Sequence, residues 1–317
     1  MLNLTDNSMP TRKVAFAVFP GVHLLDLTGP AHLFYEAAYY GAAYELSYFS
    51  VDAAAELESS AGMMISQIVP FSSLELSSDD IIIIPGMEAG YYLDQDISKA
   101  LDSFLRWLNA QSARGVTICS VCTGTFILAA AGLLDGKSCT THWRYCDKFS
   151  DRYPSIEILR NRLFVENDNI LTSAGVSSGI DLALHLIEKH HGSKFAADVA
   201  REVVIYLRRG EDEPQLSVFL RYRNHLVDPV HTVQDYLISH FHLNPSLREV
   251  AELVHTSERN LTRMFKKATG ITIGGYQDLL RQEKADQLIK EGNKMEVVAE
   301  ACGYADVSQL YKLLKKA

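Results

Sequence analysis

Four consecutive isoleucines, Ile81 to Ile84, stand between Asp80 and Pro85. Successive side chains of a strand point to opposite faces. Four apolar residues in a row therefore need apolar cover on both sides. A sheet wet on one face alternates instead, so this run predicts a central parallel strand between two helix layers. The neighbouring segments agree. Val14–Phe19 reads as a buried strand ended by Pro20-Gly21, and Tyr44–Val51, Val116–Ser120 and Ile170–Ser173 as further strands. Helical patterns fall between and after them, at Pro30–Tyr40 with proline in the first turn, Ile97–Gln111, Thr123–Leu134 and Gly179–His190. Strands alternating with crossover helices give an α/β fold with a mostly parallel sheet flanked by helices.

The pattern changes after the polar stretch 208–214, which carries both Gly and Pro and suits a loop. Beyond it every periodic segment is helical: Pro229–His240, Ser246–Val254, Ser257–Thr269, Ile273–Glu291, Met295–Cys302 and Asp306–Lys316. The expected organisation is a front domain over 11–208, a linker over 209–227 and an all-α domain over 228–317. Charge separates the same two parts. The stretch 228–317 balances 12 Lys+Arg against 12 Asp+Glu, so the whole net charge of −9 lies before it. An acidic front argues against nucleic acid there. A neutral rear permits DNA binding without the strongly basic footprint usual for it.

Five scattered cysteines (Cys119, Cys122, Cys139, Cys146 and Cys302) read as reduced and intracellular. Residues 1–10 are polar and lack the apolar core of a signal peptide, and no run approaches the roughly 18 apolar residues of a span. A cytoplasmic protein without a membrane partner is expected. Cys119 and Cys122 spell C-x-x-C, but Cys119 falls inside a strand and no second pair completes a metal site. Neither metal nor cofactor is expected.

A small helix, a turn and a second helix occur twice in the rear part. In the first unit Val250, Ala251 and Val254 share a face, Ser257 is placed to cap the second helix, and Leu261, Met264 and Phe265 form its buried stripe. Ser257, Glu258, Arg259, Thr262, Arg263 and Lys266 remain to meet DNA, as a major-groove helix requires. In the second, Gly303 suits the tight turn, Leu310, Leu313 and Leu314 are buried, and Ser308, Gln309, Lys312 and Lys316 face outward. Any one of these charges could equally belong to a plain solvated helix face. Leu261–Gly270, Arg281–Leu288 and Val298–Tyr304 resemble the AraC/XylS regulator family. That resemblance implies two recognition helices entering successive major grooves on one face of double-stranded operator DNA, with RNA polymerase as a further partner. The family pattern continues through Phe-Gly-x-x-Pro and a closing Tyr-Arg, whereas this sequence ends at Ala317. The first unit is therefore expected to carry most of the base readout, with weaker binding than a chain having the closing helix.

In the front domain, residues 116–124 read as strand, sharp turn and helix start, with Cys122 at the tip, like a nucleophile elbow. A thiol at a helix N-terminus is expected to gain thiolate character. Loops after the strand C-termini line the crevice of such folds. They would bring up Asp26 from Gly21–Pro30, and Gly86 and Met87, whose amides could face an oxyanion. These segments, with Ala130–Lys137, Thr140–Trp143 and Thr172–Val176, resemble the PfpI-like branch of the class I glutamine amidotransferase-like fold, which includes isocyanide hydratase. The resemblance implies a domain that senses a small metabolite, such as an amino acid or amine, and forms a homodimer. The expected ligand-lining set is Asp26, Gly86, Met87, Cys122, Thr123, His142, Gly175 and Val176. Thr123 follows Cys122 where catalytic relatives of the protease type carry His, and His142 is the remaining suggestive base. Cys122 could instead be an inert turn residue, Asp26 a cap and His142 a structural histidine. His190 and His191, at a helix end, are expected to ease its dipole. Two readings stand: a ligand-responsive transcription regulator, and a Cys122/Asp26 enzyme of the isocyanide-hydratase or amidase type. The rear domain favours the first.

Overall fold

The computed structural model describes residues 11–52, 54–88, 99, 101–160, 162–205, 215, 217–223, 225–290 and 292–315. The chain divides into a front unit, Met1–Gln215, and a rear unit, Leu216–Ala317. In the front unit the strands are β1 (Arg12–Val18), β2 (Tyr44–Ser50), β3 (Glu56–Glu58), β4 (Met64–Ser66), β5 (Val69–Pro70), β6 (Ile81–Ile84), β7 (Thr117–Val121), β8 (Ser138–Cys139), β9 (Glu157–Ile158), β10 (Phe164–Asn167) and β11 (Ile170–Ser173). Its helices are α1 (Leu24–Tyr39), α2 (Asp102–Ala113), α3 (Thr125–Ala130), α4 (Cys146–Arg152), α5 (Ser177–His191) and α6 (Ser193–Glu202).

The main sheet runs β10-β11-β7-β6-β1-β2-β5, with β10 antiparallel to β11 and every other pair parallel. The isoleucine run lies at its centre and divides as strand geometry demands. Ile81 and Ile83 join Phe16, Phe34 and Leu182 beneath α1, α5 and α6, while Ile82 and Ile84 join Phe104, Leu108 and Phe126 beneath α2 and α3. The expected α/β architecture is thus the one observed. Two short antiparallel or parallel pairs, β3-β4 and β8-β9, stand outside the main sheet. No helix among the described residues is long and apolar enough to cross a membrane.

Several boundaries differ from the sequence reading. Helix α1 starts at Leu24, so Pro30 lies inside it and not at its first turn. An interior proline removes one helix hydrogen bond, at a cost of about 3 kcal/mol. Packing offsets this, because the Pro30 ring sits against Gly179 of α5, where a Cβ would be 3.2 Å from its Cγ. The helix expected over 123–134 is a 3-10 turn at Cys122–Gly124 followed by the six-residue α3. Residues 97, 98 and 100 of the helix expected from Ile97 lie outside the described residues, as do 206–214 of the connection. Helix α6, unread in the sequence, buries Ala196, Val199 and Ala200 at helical spacing.

In the rear unit the helices are α7 (Val218–Arg221), α8 (Asp228–His240), α9 (Leu247–Leu253), α10 (Glu258–Thr269), α11 (Ile273–Lys290), α12 (Met295–Ala301) and α13 (Val307–Leu314). Residues 217–223, expected within the linker, pack on this unit. Val218 and Tyr222 lie against its first core, and Gln234 donates to the Tyr222 carbonyl at 2.7 Å.

His190 does not act as a cation at the end of α5. Its Nδ1 lies 2.7 Å from the Tyr44 hydroxyl, and burial, helped by Arg12, pushes its pKa down to about 4. His191 is lowered by the same two causes. Unfolded His190 titrates near its ordinary value of about 6.5. Between that value and about 4 the unfolded chain binds the extra proton, so stability falls as pH drops through this window. Melting curves of the front unit between pH 7 and pH 4.5 should show this fall, and His190→Gln should make it shallower. An unchanged slope in the variant would contradict the assignment.

Candidate functional sites

Four adjacent strands, β11, β7, β6 and β1, end side by side, and the segment after each one reaches the same place. The segment after β1 carries His23 and Asp26, the one after β6 carries Gly86 and Met87, β7 leads into Cys122, and β11 into Gly175 and Val176. Cys122 sits at φ +59, a conformation that costs a non-glycine residue about 1–3 kcal/mol. Its carbonyl is held by the hydroxyls of Thr141 at 2.7 Å and Thr125 at 3.1 Å. Two glycines let the other segments close on it. A Cβ on Gly175, itself at φ +98, would stand 2.3 Å from the Cys122 Cβ, and one on Gly86 2.4 Å from Asp26 Oδ2.

Asp26 is 1% exposed. Its Oδ1 accepts the Val176 N–H at 2.6 Å, a partner 150 residues away, so the carboxylate joins two segments and does not cap its own turn. Oδ2 is buried without a hydrogen-bond partner among the described residues. His23 Nδ1 stands 3.5 Å from it. Thr123 exchanges hydrogen bonds with Met87, its Oγ1 accepting from the Met87 N–H at 3.1 Å and donating to the Met87 carbonyl at 3.2 Å. The Met87 amide is therefore engaged and not free to face an oxyanion. His142 is half-buried, accepts the Arg144 N–H at 3.3 Å and caps a 3-10 turn. Burial and Arg144 lower its pKa against the pull of Asp26.

Asp26, Gly86, Met87, Cys122, Thr123, Gly175 and Val176 are thus brought together, with His142 near enough to feel the charge of Asp26, and two expectations change. The first concerns His23, which sequence reasoning missed. It lies three residues before Asp26 at the entry of α1, and only the proline-first reading of that helix hid the spacing. The second concerns the thiol. Burial first, then the negative charge of Asp26, push Cys122 well above the usual cysteine range, outweighing the hydrogen bonds from Thr123. A six-residue helix beyond a 3-10 turn is a weak dipole against a carboxylate in a buried site. Cys122 is accordingly a thiol at neutral pH. Cys119 lies buried within β7 and, like the other four cysteines, is free. His23, Asp26 and Cys122 offer one donor atom each within 4.8 Å of one another. Ligands of a tetrahedral zinc stand roughly 3.3–3.8 Å apart, so the three would have to draw together to hold such an ion.

The rear unit presents two helix-turn-helix arrangements. Helix α9 begins with a capping box in which Ser246 Oγ accepts the Glu249 N–H and Glu249 accepts the Ser246 N–H. Helix α10 begins with Ser257 accepting the Asn260 N–H at 3.3 Å and ends at Gly270 in the left-handed region. Such caps contribute about 1 kcal/mol each. Leu261 and Phe265 are buried, and Glu258, Arg259, Arg263 and Lys266 are exposed. Thr262 is half-buried with its hydroxyl bonded back to the Glu258 carbonyl at 2.8 Å. Arg263 leans on Asn260 Oδ1 at 3.0 Å, an outward residue that the sequence reading left out. In the second arrangement Asp306, read as helical, is instead the cap of α13 and accepts the Gln309 N–H at 3.1 Å. Ser308, Gln309 and Lys312 are exposed over buried Leu310 and Leu313, while Lys316 lies outside the described residues.

Residues 12–189 match the DJ-1/PfpI family model, more than half of the sequence. The chain belongs to the DJ-1/PfpI family. Residues 250–317 match a helix-turn-helix domain model, so an AraC-type domain follows the DJ-1/PfpI domain. The chain is 32% identical over 213 residues to the HTH-type transcriptional regulator CdhR of Pseudomonas aeruginosa, covering 65% of this chain and 61% of that protein. It is 30% identical over 204 residues to the isonitrile hydratase of Pseudomonas putida, covering 64% of this chain and 80% of that enzyme. A crystal structure of an AraC family transcriptional regulator from Pseudomonas putida shares the fold. Its TM-score is 0.52 at 20% identity, over 61% of this chain and 99% of that one.

Proposed function

We propose that this protein is a sequence-specific DNA-binding transcription regulator whose DJ-1/PfpI domain senses a small metabolite and pairs two copies of the chain. The observation that carries the reading is α10. It is a helix capped at both ends, with an apolar stripe on one side and Arg259, Arg263 and Lys266 exposed on the other, following a DJ-1/PfpI domain in one chain. A hydratase or amidase has no use for such a helix. The likeness to CdhR supports the same reading, although the match spans about three fifths of that regulator.

The effector site is assigned to the strand ends at Asp26, Gly86, Met87, Cys122, Thr123, His142, Gly175 and Val176, with His23 added. Its chemistry suits an ammonium group. Asp26 is a buried carboxylate beside His23 and Cys122, and His142 lies against the rings of exposed Trp143 and of Tyr145. An amino acid or amine supplies the complementary charge. Pairing is assigned to α1, where Leu25, Thr28, His32, Tyr35 and Tyr39 are exposed at spacings of three and four residues, as on a helix that packs against a second helix. RNA polymerase is the partner a regulator bound to DNA would meet.

A second reading, a cysteine-dependent hydratase, is favoured by His23 and Asp26 beside Cys122 and by the likeness to isonitrile hydratase. The buried, protonated thiol weighs against it.

Three outcomes test these assignments. On a duplex enriched by the full chain from random DNA, Arg263→Ala should cost about 1–3 kcal/mol and relax specificity at one position if Arg263 reads a base edge. Lys266→Ala should weaken binding to enriched and random DNA alike and flatten the salt dependence, as loss of a phosphate contact does. Titrations at two salt concentrations distinguish them, and unchanged affinities in both variants would mean that α10 is not the reading helix. Light scattering should report a dimer that Tyr35→Glu with Tyr39→Glu converts to monomer. A wild-type monomer, or a dimer that survives both charges, overturns the pairing surface. Isonitrile and amide substrates should give no appreciable turnover, and turnover abolished by Cys122→Ser would establish the enzyme reading instead.

A further inference from the structure

Each helix-turn-helix of the rear unit has its own small core. Val230, Leu237, Leu261, Phe265 and Tyr276 build the first, and Ala285, Val298, Cys302, Leu310 and Leu313 the second. Helix α11 serves both, with Tyr276 and Leu280 in one and Ala285 in the other. Two small cores on one helix do not by themselves fix how two recognition helices are aimed.

At the junction lies Arg281, an arginine only 8% exposed, whose Asp278 carboxylate is as far off as 4.0 Å. Its donors turn to the chain that follows α8. Nη2 and Nε reach the Phe241 carbonyl at 2.8 and 3.3 Å, and Nη2 also donates to Asn244 Oδ1. Its guanidinium lies 5.5 Å from the Tyr304 ring centroid, in the turn before α13. The same two turns touch directly. Asn244, in the left-handed region at φ +51, donates from Nδ2 to the Gly303 carbonyl at 2.7 Å. A Cβ on Gly303, at φ +78, would stand 2.2 Å from the His242 carbonyl oxygen. The Cys302 thiol completes the contact on the Arg281 carbonyl at 3.4 Å. One turn leads into α9 of the first helix-turn-helix, and the other aims α13 of the second.

A buried guanidinium is costly unless its donors are satisfied, and such groups are best attested where they set a register. The planar fork of arginine can hold a carbonyl and an amide oxygen together while stacking on a ring, and an ammonium cannot. We propose that Arg281, with Asn244, is the positioning residue that fixes the spacing between α10 and α13 and so sets which separation of DNA half-sites the chain accepts. The proposal rests on the DNA-binding reading above. Two linked contacts reinforce each other only when their separation matches that of the sites. One inserted base pair moves a half-site by about 3.4 Å and turns it by about 35°.

The test uses the full chain, the duplex that the wild type enriches from random DNA, and the same duplex with one base pair inserted between its half-sites. Wild type should lose about tenfold or more in affinity on insertion. Arg281→Met and Arg281→Lys should bind the original duplex about tenfold more weakly and distinguish the two duplexes by less than about threefold. Asn244→Gly, which keeps the left-handed backbone and removes the amide, should follow them, and it carries the test if the Arg281 variants fail to fold. A second arm needs no DNA. Spin labels on Glu258→Cys and Lys312→Cys should give a narrow distance distribution that Arg281→Met or Asn244→Gly broadens, and the five native cysteines are buried. Variants that keep wild-type spacing discrimination and a narrow distribution overturn the proposal. A wild type that enriches no sequence sinks the DNA reading, and the label distances then decide whether the clasp exists.

Discussion

The parallel order β11-β7-β6-β1 is the constraint from which the front site follows. Parallel hydrogen bonding brings four strand ends to one edge, and both faces of those strands are covered, so the chain can open only beyond their C-terminal ends. Ile81 to Ile84 hold the middle of this arrangement by filling both cores at once. The contact of Gly175 and Gly86 with Cys122 and Asp26, and the reach of Asp26 to Val176, are consequences of that alignment. A polar residue at any of the four isoleucines would disturb a core and the site above it together.

The electrostatics of the site separate the shape of a catalytic domain from its reactivity. A nucleophile elbow supplies geometry, but reactivity also needs a thiolate. Burial holds Cys122 in its thiol form, and the carboxylate of Asp26 adds to the effect. A ligand that brings a positive charge would relieve both groups. The rear unit shows a related economy of polar groups: Ser246, Ser257 and Asp306 start three helices with side-chain caps, and one buried arginine ties the two arrangements.

Much of this was legible in the sequence because it is periodic. The isoleucine run, the capping serine at 257 and the stripe Leu261–Phe265 announce themselves through burial pattern and cap chemistry. The elbow at Cys122 and the partner segments at Asp26 and Gly86 were legible as motifs. What escaped depends on contacts distant in sequence. Proline chemistry alone places Pro30 at a helix start, because the glycine that admits its ring inside α1, Gly179, lies 149 residues on. A helix starting at Pro30 leaves His23 outside it, and only the start at Leu24 makes the i,i+3 spacing of His23 and Asp26 meaningful. A histidine at a helix end suggests a charge, which burial against Tyr44 opposes at His190. The short pairs β3-β4 and β8-β9 carry too few residues for alternation to mark them.

A regulator that senses through the strand ends at Asp26 must bind DNA differently when that site is occupied. The most direct measurement is the affinity of the full chain for its enriched duplex, with and without an amine or amino acid that raises its melting temperature. Binding to the native state raises that temperature by mass action. At least one such compound should shift the DNA affinity, and Asp26→Asn should abolish both the melting shift and the change in affinity. A compound that stabilises wild type and Asp26→Asn equally, or one that leaves the DNA affinity untouched, would contradict it.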